Sequence, residues 1–129
     1  AHSQGHLKDR VVPQDAVLLA LILIKDVVKE DARDIIAYFK SQDFDVKIIS
    51  GDYPDTVAAI AKDVGVTGKA IISADIPEDM TELQKVVKET SIFGRVTPPQ
   101  KRNIIQALQN NGHTTCMVGD GINDILALK

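Results

Sequence analysis

Val46-Lys47-Ile48-Ile49-Ser50-Gly51-Asp52-Tyr53-Pro54, running on to Gly65, is the stretch that decides the fold. Val46, Ile48 and Ile49 are apolar and β-branched, and residues 46–49 are expected to form a short buried strand. Ser50-Gly51-Asp52 then turns the chain, and Pro54 opens a helix where its missing N–H costs nothing. That helix is expected to bury Val57, Ile60, Ala61 and Val64 and to stop at Gly65. The same order of strand, turn and helix recurs along the chain. Upstream, residues 16–24 are a continuous apolar run, of which 17–24 are expected to be a strand buried on both faces. Residues 30–42 form an amphipathic helix with Ala32, Ile35, Ile36 and Phe39 at i, i+3, i+4, i+7. Downstream come a strand at 70–72 and a helix capped by Asp79 that uses Leu83, Val86 and Val87. A short strand at 92–93 follows. Thr97 caps the next helix, with Pro98 in its first turn and Ile104, Ile105 and Leu108 inward. A strand at 115–118 and a helix after Gly121 complete the series. Strands alternating with helices across short connections give an α/β fold, a parallel sheet with helices on both faces. Residues 1–15 are polar and broken by Pro13, so they read as a leader or the end of a preceding domain, with one domain over 16–129.

Composition narrows the function. Of the 129 residues 44% are hydrophobic and 26% charged, so the chain can bury a core. The apolar run at 16–24 is shorter than the roughly 20 residues a membrane helix needs. The net charge is −3, and no face is basic, which disfavours nucleic acid as a partner. The single cysteine, Cys116, excludes an internal disulfide and reads as a small core residue of its strand. Of the three histidines, His2 and His6 lie in the polar leader, and none makes a metal-ligand pair at helical spacing.

In a parallel sheet, ligands bind beyond the carboxyl ends of the strands. The residues that follow the strands are therefore the candidates: Ser50-Gly51-Asp52, Ser73-Ala74-Asp75, Gly94-Arg95-Val96-Thr97 with Lys101 one turn later, and Gly119-Asp120-Gly121-Ile122-Asn123-Asp124. Asp120 on the loop and Asp124 in the first helical turn are hard oxygen donors that can face one Mg²⁺ ion; Asp124 read alone is equally a helix cap. Ser50 offers a hydroxyl beside free N–H groups at a helix N-terminus, where phosphate is favoured; Ser50 or Asp52 is also an ordinary cap. Lys101 opposes the dipole of its own helix, which points to a phosphate or carboxylate partner, with Arg95 just upstream; read singly, each is more simply a solvated side chain. Asp75 has no evident partner. Gly68-Lys69 lacks the residues around it that a P-loop requires. Together the tips suit Mg²⁺-assisted phosphoryl chemistry, in which positioning and electrostatics do most of the work. No nucleophile is evident among them.

Ser50-Gly51-Asp52-x-Pro54, Phe93-Gly94-Arg95-Val96-x-Pro98-x-x-Lys101 and Val118-Gly119-Asp120-Gly121-Ile122-Asn123-Asp124-x-x-Ala127-Leu128 resemble, in order and spacing, the phosphorylation domain of P-type cation-transporting ATPases. Those proteins fall within the haloacid dehalogenase-like superfamily, whose fold is Rossmann-like. The resemblance covers about residues 16–129. It implies that Ser50 and Gly51 hydrogen-bond the transferring phosphoryl group and that Asp52 lies beside the nucleotide. It implies that Lys101 contacts phosphate oxygens, that Arg95 helps hold ATP and that Asp120 binds Mg²⁺. Asn123 and Asp124 would orient the phosphate, the metal or the nucleophile. In the family, ATP phosphorylates an aspartate in a DKTGT motif, and the aspartyl phosphate drives ion movement.

DKTGT is absent from this sequence. The family carries it far upstream, beyond an inserted nucleotide-binding domain, and Ile125-Leu126 stands where many members have Ala-Pro. The resemblance thus implies the C-terminal part of a split phosphorylation domain, inactive alone. Its partners would be ATP and, from the same protein, the missing N-terminal half of the domain, the nucleotide-binding domain and the membrane domain. The parent would be an integral protein of a plasma membrane, bacterial by its form, with this part on the cytoplasmic side. In that fold the DKTGT strand lies at the sheet centre, between the strands ending at Ser50 and Asp120. Without it, two strands have open edges, so the chain is expected to close the gap or to pair or swap strands with a second copy. The alternatives are a soluble haloacid dehalogenase-like phosphatase, likewise without its nucleophile strand, and a non-catalytic α/β binding module.

Overall fold

The computed structural model describes residues 17–20, 22, 27–119 and 124. The elements run α1 (Ala32–Ser41), β1 (Ile48–Ile49), α2 (Pro54–Asp63), β2 (Lys69–Ile72), a 3-10 turn (Ser73–Asp75), α3 (Met80–Glu89), β3 (Thr90–Gly94) and α4 (Pro98–Asn110). The described strands form one parallel sheet in the order β1-β3-β2. Ile48 lies opposite Ile92, and Ile49 and Ile71 both lie opposite Phe93.

Successive strand residues face opposite sides, and β3 uses both. Ile92 belongs to one core cluster, with Val57, Ala61, Val64 and Val66, and Ala32 and Ile36 of α1 pack against it. Phe93 belongs to the other, with Leu83 and Val87 of α3 and Ile104 and Leu108 of α4. Helices therefore cover both faces, α1 and α2 on one and α3 and α4 on the other. The helix ends follow local chemistry. Pro54 occupies the first turn of α2, and Gly65 beyond its end takes the left-handed φ of +84°. Asp79 Oδ1 accepts the Glu82 N–H at 2.9 Å and starts α3.

Four expectations need correction. The strand expected at 115–118 is not formed: residues 113–119 belong to no described ladder, and Val118 is 94% exposed. A strand needs a neighbour for its backbone groups, and β3 is the only described neighbour of β1. Between residues 43–49 and residues 114–118 lies a groove of about 950 Å³, with Val87, Ile105 and Leu108 beneath it. Cys116, expected in the core, is exposed for the same reason and lines that groove.

Third, the run at 16–24 is not a buried strand where it is described. Val17, Leu18, Leu19 and Ile22 are exposed, and none belongs to the sheet. Apolarity alone does not bury them; Ala16, Leu21, Leu23 and Ile24 lie outside the described residues. Fourth, α1 buries less than its spacing suggests, because Ile35 and Phe39 stay exposed while Ala32 and Ile36 pack. Phe39 meets Phe44 edge-on instead, at 5.6 Å between ring centroids. Cations anchor α1: Arg33 donates to the Asp63 carbonyl at 2.7 Å, and Lys40 donates to the Gly65 carbonyl at 2.6 Å. These bonds satisfy carbonyls at the C-terminal end of α2. The helix expected after Gly121 lies outside the described residues, Asp124 excepted.

Candidate active site

The loops after β1 and β3 are joined by backbone hydrogen bonds. The Ser50 N–H donates to the Phe93 carbonyl at 2.9 Å and continues the ladder. Beyond it, the Arg95 N–H donates to the Asp52 carbonyl at 2.8 Å and the Val96 N–H to the Ser50 carbonyl at 3.0 Å. The Ser50 hydroxyl accepts the Asp52 N–H at 3.1 Å, a local turn that holds Ser50-Gly51-Asp52 in shape. Gly94 sits where this joint is tightest: a Cβ there would lie 2.6 Å from the Pro54 nitrogen. Gly51 differs, since a Cβ there would meet nothing within 4 Å. The Gly51 backbone is thus open on the side where a ligand would approach.

Lys101 is held by a carboxylate. Its Nζ donates to Asp124 Oδ1 at 2.6 Å, and the two side chains are only 11% and 12% exposed. The pair tethers the first turn of α4 to the last of the four tips. A charge-assisted bond of this length is strong, and the low exposure reduces screening. At Gly119 the backbone comes so close to Asp124 that a Cβ would lie 2.6 Å from its Oδ2. Asp120, Gly121 and Asn123 lie outside the described residues.

Gln100 is the residue that sequence reasoning missed. Its Oε1 accepts from the Ser73 hydroxyl at 2.7 Å and from the Thr97 hydroxyl and N–H at 3.0 and 3.1 Å. Its Nε2 donates to the Ser73 carbonyl at 3.0 Å. One side chain thus fastens the start of α4 to the end of β2, next to Lys101. The signal was present as Thr97-x-x-Gln100, a capping-box pattern. Asp75, read as lacking a partner, is exposed on its turn.

The sheet therefore brings Ser50, Gly51, Asp52 and Arg95 to the carboxyl ends of its strands, and Lys101, in the first turn of the helix that follows Arg95, holds Asp124. These residues supply open backbone, a hydroxyl, two cations and two carboxylates. Comparison with known proteins decides the family: the profile of haloacid dehalogenase-like hydrolases matches residues 2–129. The chain belongs to the haloacid dehalogenase-like hydrolases. It is 44% identical over 110 residues to the calcium-transporting ATPase CtpE of Mycolicibacterium smegmatis, covering 85% of this chain and 14% of that protein. It is 46% identical over 119 residues to the probable cation-transporting ATPase exp7 of Streptococcus pneumoniae serotype 4, covering 91% and 15%. It is 40% identical over 111 residues to the magnesium-transporting ATPase, P-type 1, of Salmonella typhimurium, covering 84% and 12%. The resemblance to P-type ATPases carried by the three motifs is borne out, and the chain spans no more than 15% of the length of these relatives. No described helix is long and apolar enough to cross a membrane.

Proposed function

We propose that this haloacid dehalogenase-like chain is the C-terminal part of the phosphorylation domain of an ATP-driven cation pump, residues 16–129 being that part. The Lys101–Asp124 pair, taken with the hydrogen-bonded Ser50 and Arg95 loops, is the observation that carries the reading. In the proposed reaction an aspartate outside this chain attacks the γ-phosphorus of ATP. The bond to the β-phosphate oxygen breaks and ADP leaves; water later hydrolyses the aspartyl phosphate, and the cycle is coupled to ion transport. Ser50 and the Gly51 N–H hold oxygens of the transferring group, with Asp52 beside the nucleotide. Lys101 neutralises phosphate charge as it develops, and Arg95 holds ATP. Asp124 orients Lys101 and the phosphate.

The donor chemistry fits Mg²⁺. Mg²⁺ takes one or two carboxylates and completes its shell with water and substrate phosphate, so the lack of a three-ligand cluster among the described residues does not conflict with it. Asp124 and Asp120 would hold the ion, Asn123 would help orient the phosphate, and Mg²⁺ when bound would offset charge on the transferring oxygens. The parent would be a bacterial plasma-membrane protein with this part on the cytoplasmic side. Its other partners would be the N-terminal half of the domain, the nucleotide-binding domain and the membrane domain. The chain alone would not turn over ATP.

The test is phosphorylation of the full-length protein that carries this chain, with γ-labelled ATP and Mg²⁺. A hydroxylamine-labile label that is lost in Asp120→Ala and Asp124→Ala is expected. No label, or steady ATP hydrolysis that survives Asp120→Ala, overturns the reading.

A further inference from the structure

Tyr53 and Arg95 reach each other from two different strand tips. Tyr53 is the N-cap residue of α2, with extended backbone (φ −62°, ψ 141°) and no side-chain capping bond. Its ring is 61% exposed. A single exposed aromatic is ordinary, but this one carries a cation: Arg95 Cζ lies over the ring, 4.8 Å from its centroid. The Arg95 backbone sits at φ +57°, a region uncommon for residues with a side chain, and its N–H is tied to the Asp52 carbonyl. Among the described residues, no carboxylate pairs with Arg95. The Tyr53 ring thus lies against the Arg95 guanidinium.

We infer that Tyr53 is a positioning residue for ATP, its ring holding the Arg95 guanidinium ready for the nucleotide; this rests on the reading that Arg95 holds ATP. An aromatic face engages the face of a guanidinium, whereas the N–H donors lie in the guanidinium plane. Held in this way, Arg95 keeps its donors for an anion. A free arginine must give up rotamer freedom on binding, and a pre-placed one gives up less. Pro54 and the close approach of Gly94 secure the base of the pair, because they fix the backbone from which Tyr53 projects.

The experiment uses the full-length protein that carries this chain, with steady-state KM for ATP and kcat measured for Arg95→Ala, Tyr53→Leu, Tyr53→Phe and the double variant Tyr53→Leu/Arg95→Ala. Tyr53→Leu is expected to raise KM for ATP about two- to fivefold, the equivalent of an exposed cation–π contact, with kcat unchanged. Tyr53→Phe keeps the ring face and should match the parent. In the Arg95→Ala background, Tyr53→Leu should add nothing, because the two residues act as one unit. A raised KM in Arg95→Ala beside an unchanged KM in Tyr53→Leu overturns the positioning role alone. So does a Tyr53→Leu effect that persists without Arg95, or one that Tyr53→Phe reproduces. An unchanged KM in Arg95→Ala overturns the reading beneath it.

Discussion

Gly51 and Gly94 stand at neighbouring strand tips and answer to different demands. Gly94 is required by packing, since any side chain strikes Pro54. Gly94→Ala should destabilise the chain by about 1–3 kcal/mol, read in urea unfolding. Gly51 has open space and does not have a positive φ. Gly51→Ala should leave stability within about 0.5 kcal/mol, yet lower phosphorylation of the full-length protein if its N–H faces phosphate. Lys101 and Asp124 obey a different rule. Lys101→Met removes a charge-assisted hydrogen bond from a largely buried carboxylate, so it should cost about 1–3 kcal/mol in the same assay. At this scale the sequence was a good guide. A lysine opposing its helix dipole did have an anionic partner. Which carboxylate it was could not be read, because their pairing depends on how α4 and the last strand tip come together in space.

Among the elements, α2, α3 and α4 were legible because periodicity and a starting signal agreed in each, with Gly65 as a stop signal for α2. The central strand was less so. Residues 92–93 suggested a short strand, and β3 in fact spans Thr90–Gly94 and joins both neighbours. Only Ile92 and Phe93 are strongly apolar there; Thr90 is nonetheless fully buried, which periodicity does not reveal. α1 was over-read in burial, since four apolar positions on a helix do not guarantee a partner surface for all of them. The joint between α4 and β2 rests on Gln100, whose side chain makes four hydrogen bonds. At a net 0.5–1.5 kcal/mol each and partly exposed, Gln100→Ala should lose about 2 kcal/mol in thermal or urea unfolding. Gln100→Glu keeps the acceptor but not the donor to Ser73, so it should lose less.

For the whole molecule, the informative error is the strand expected at 115–118. Its sequence has the composition of a strand, yet composition cannot supply a neighbour. β1 and residues 114–118 face one another across a groove that no described strand occupies. Open strand edges invite pairing with another chain. Size-exclusion chromatography with light scattering should therefore show a concentration-dependent dimer above the 14.0 kDa monomer. A monomer at every concentration would count against strand pairing between copies. An added peptide that carries the absent aspartate strand should shift the equilibrium back to monomer, by competing for the same edges.

The single thiol turns that groove into its own gauge. Cys116 is the only cysteine in the sequence and stands on the groove wall. A strand docked in the groove would cover the face that Cys116 lines. The rate at which a maleimide dye alkylates it is thus a clock for assembly: fast while the groove is vacant, slow once a strand has docked, with nothing engineered into the protein to read it.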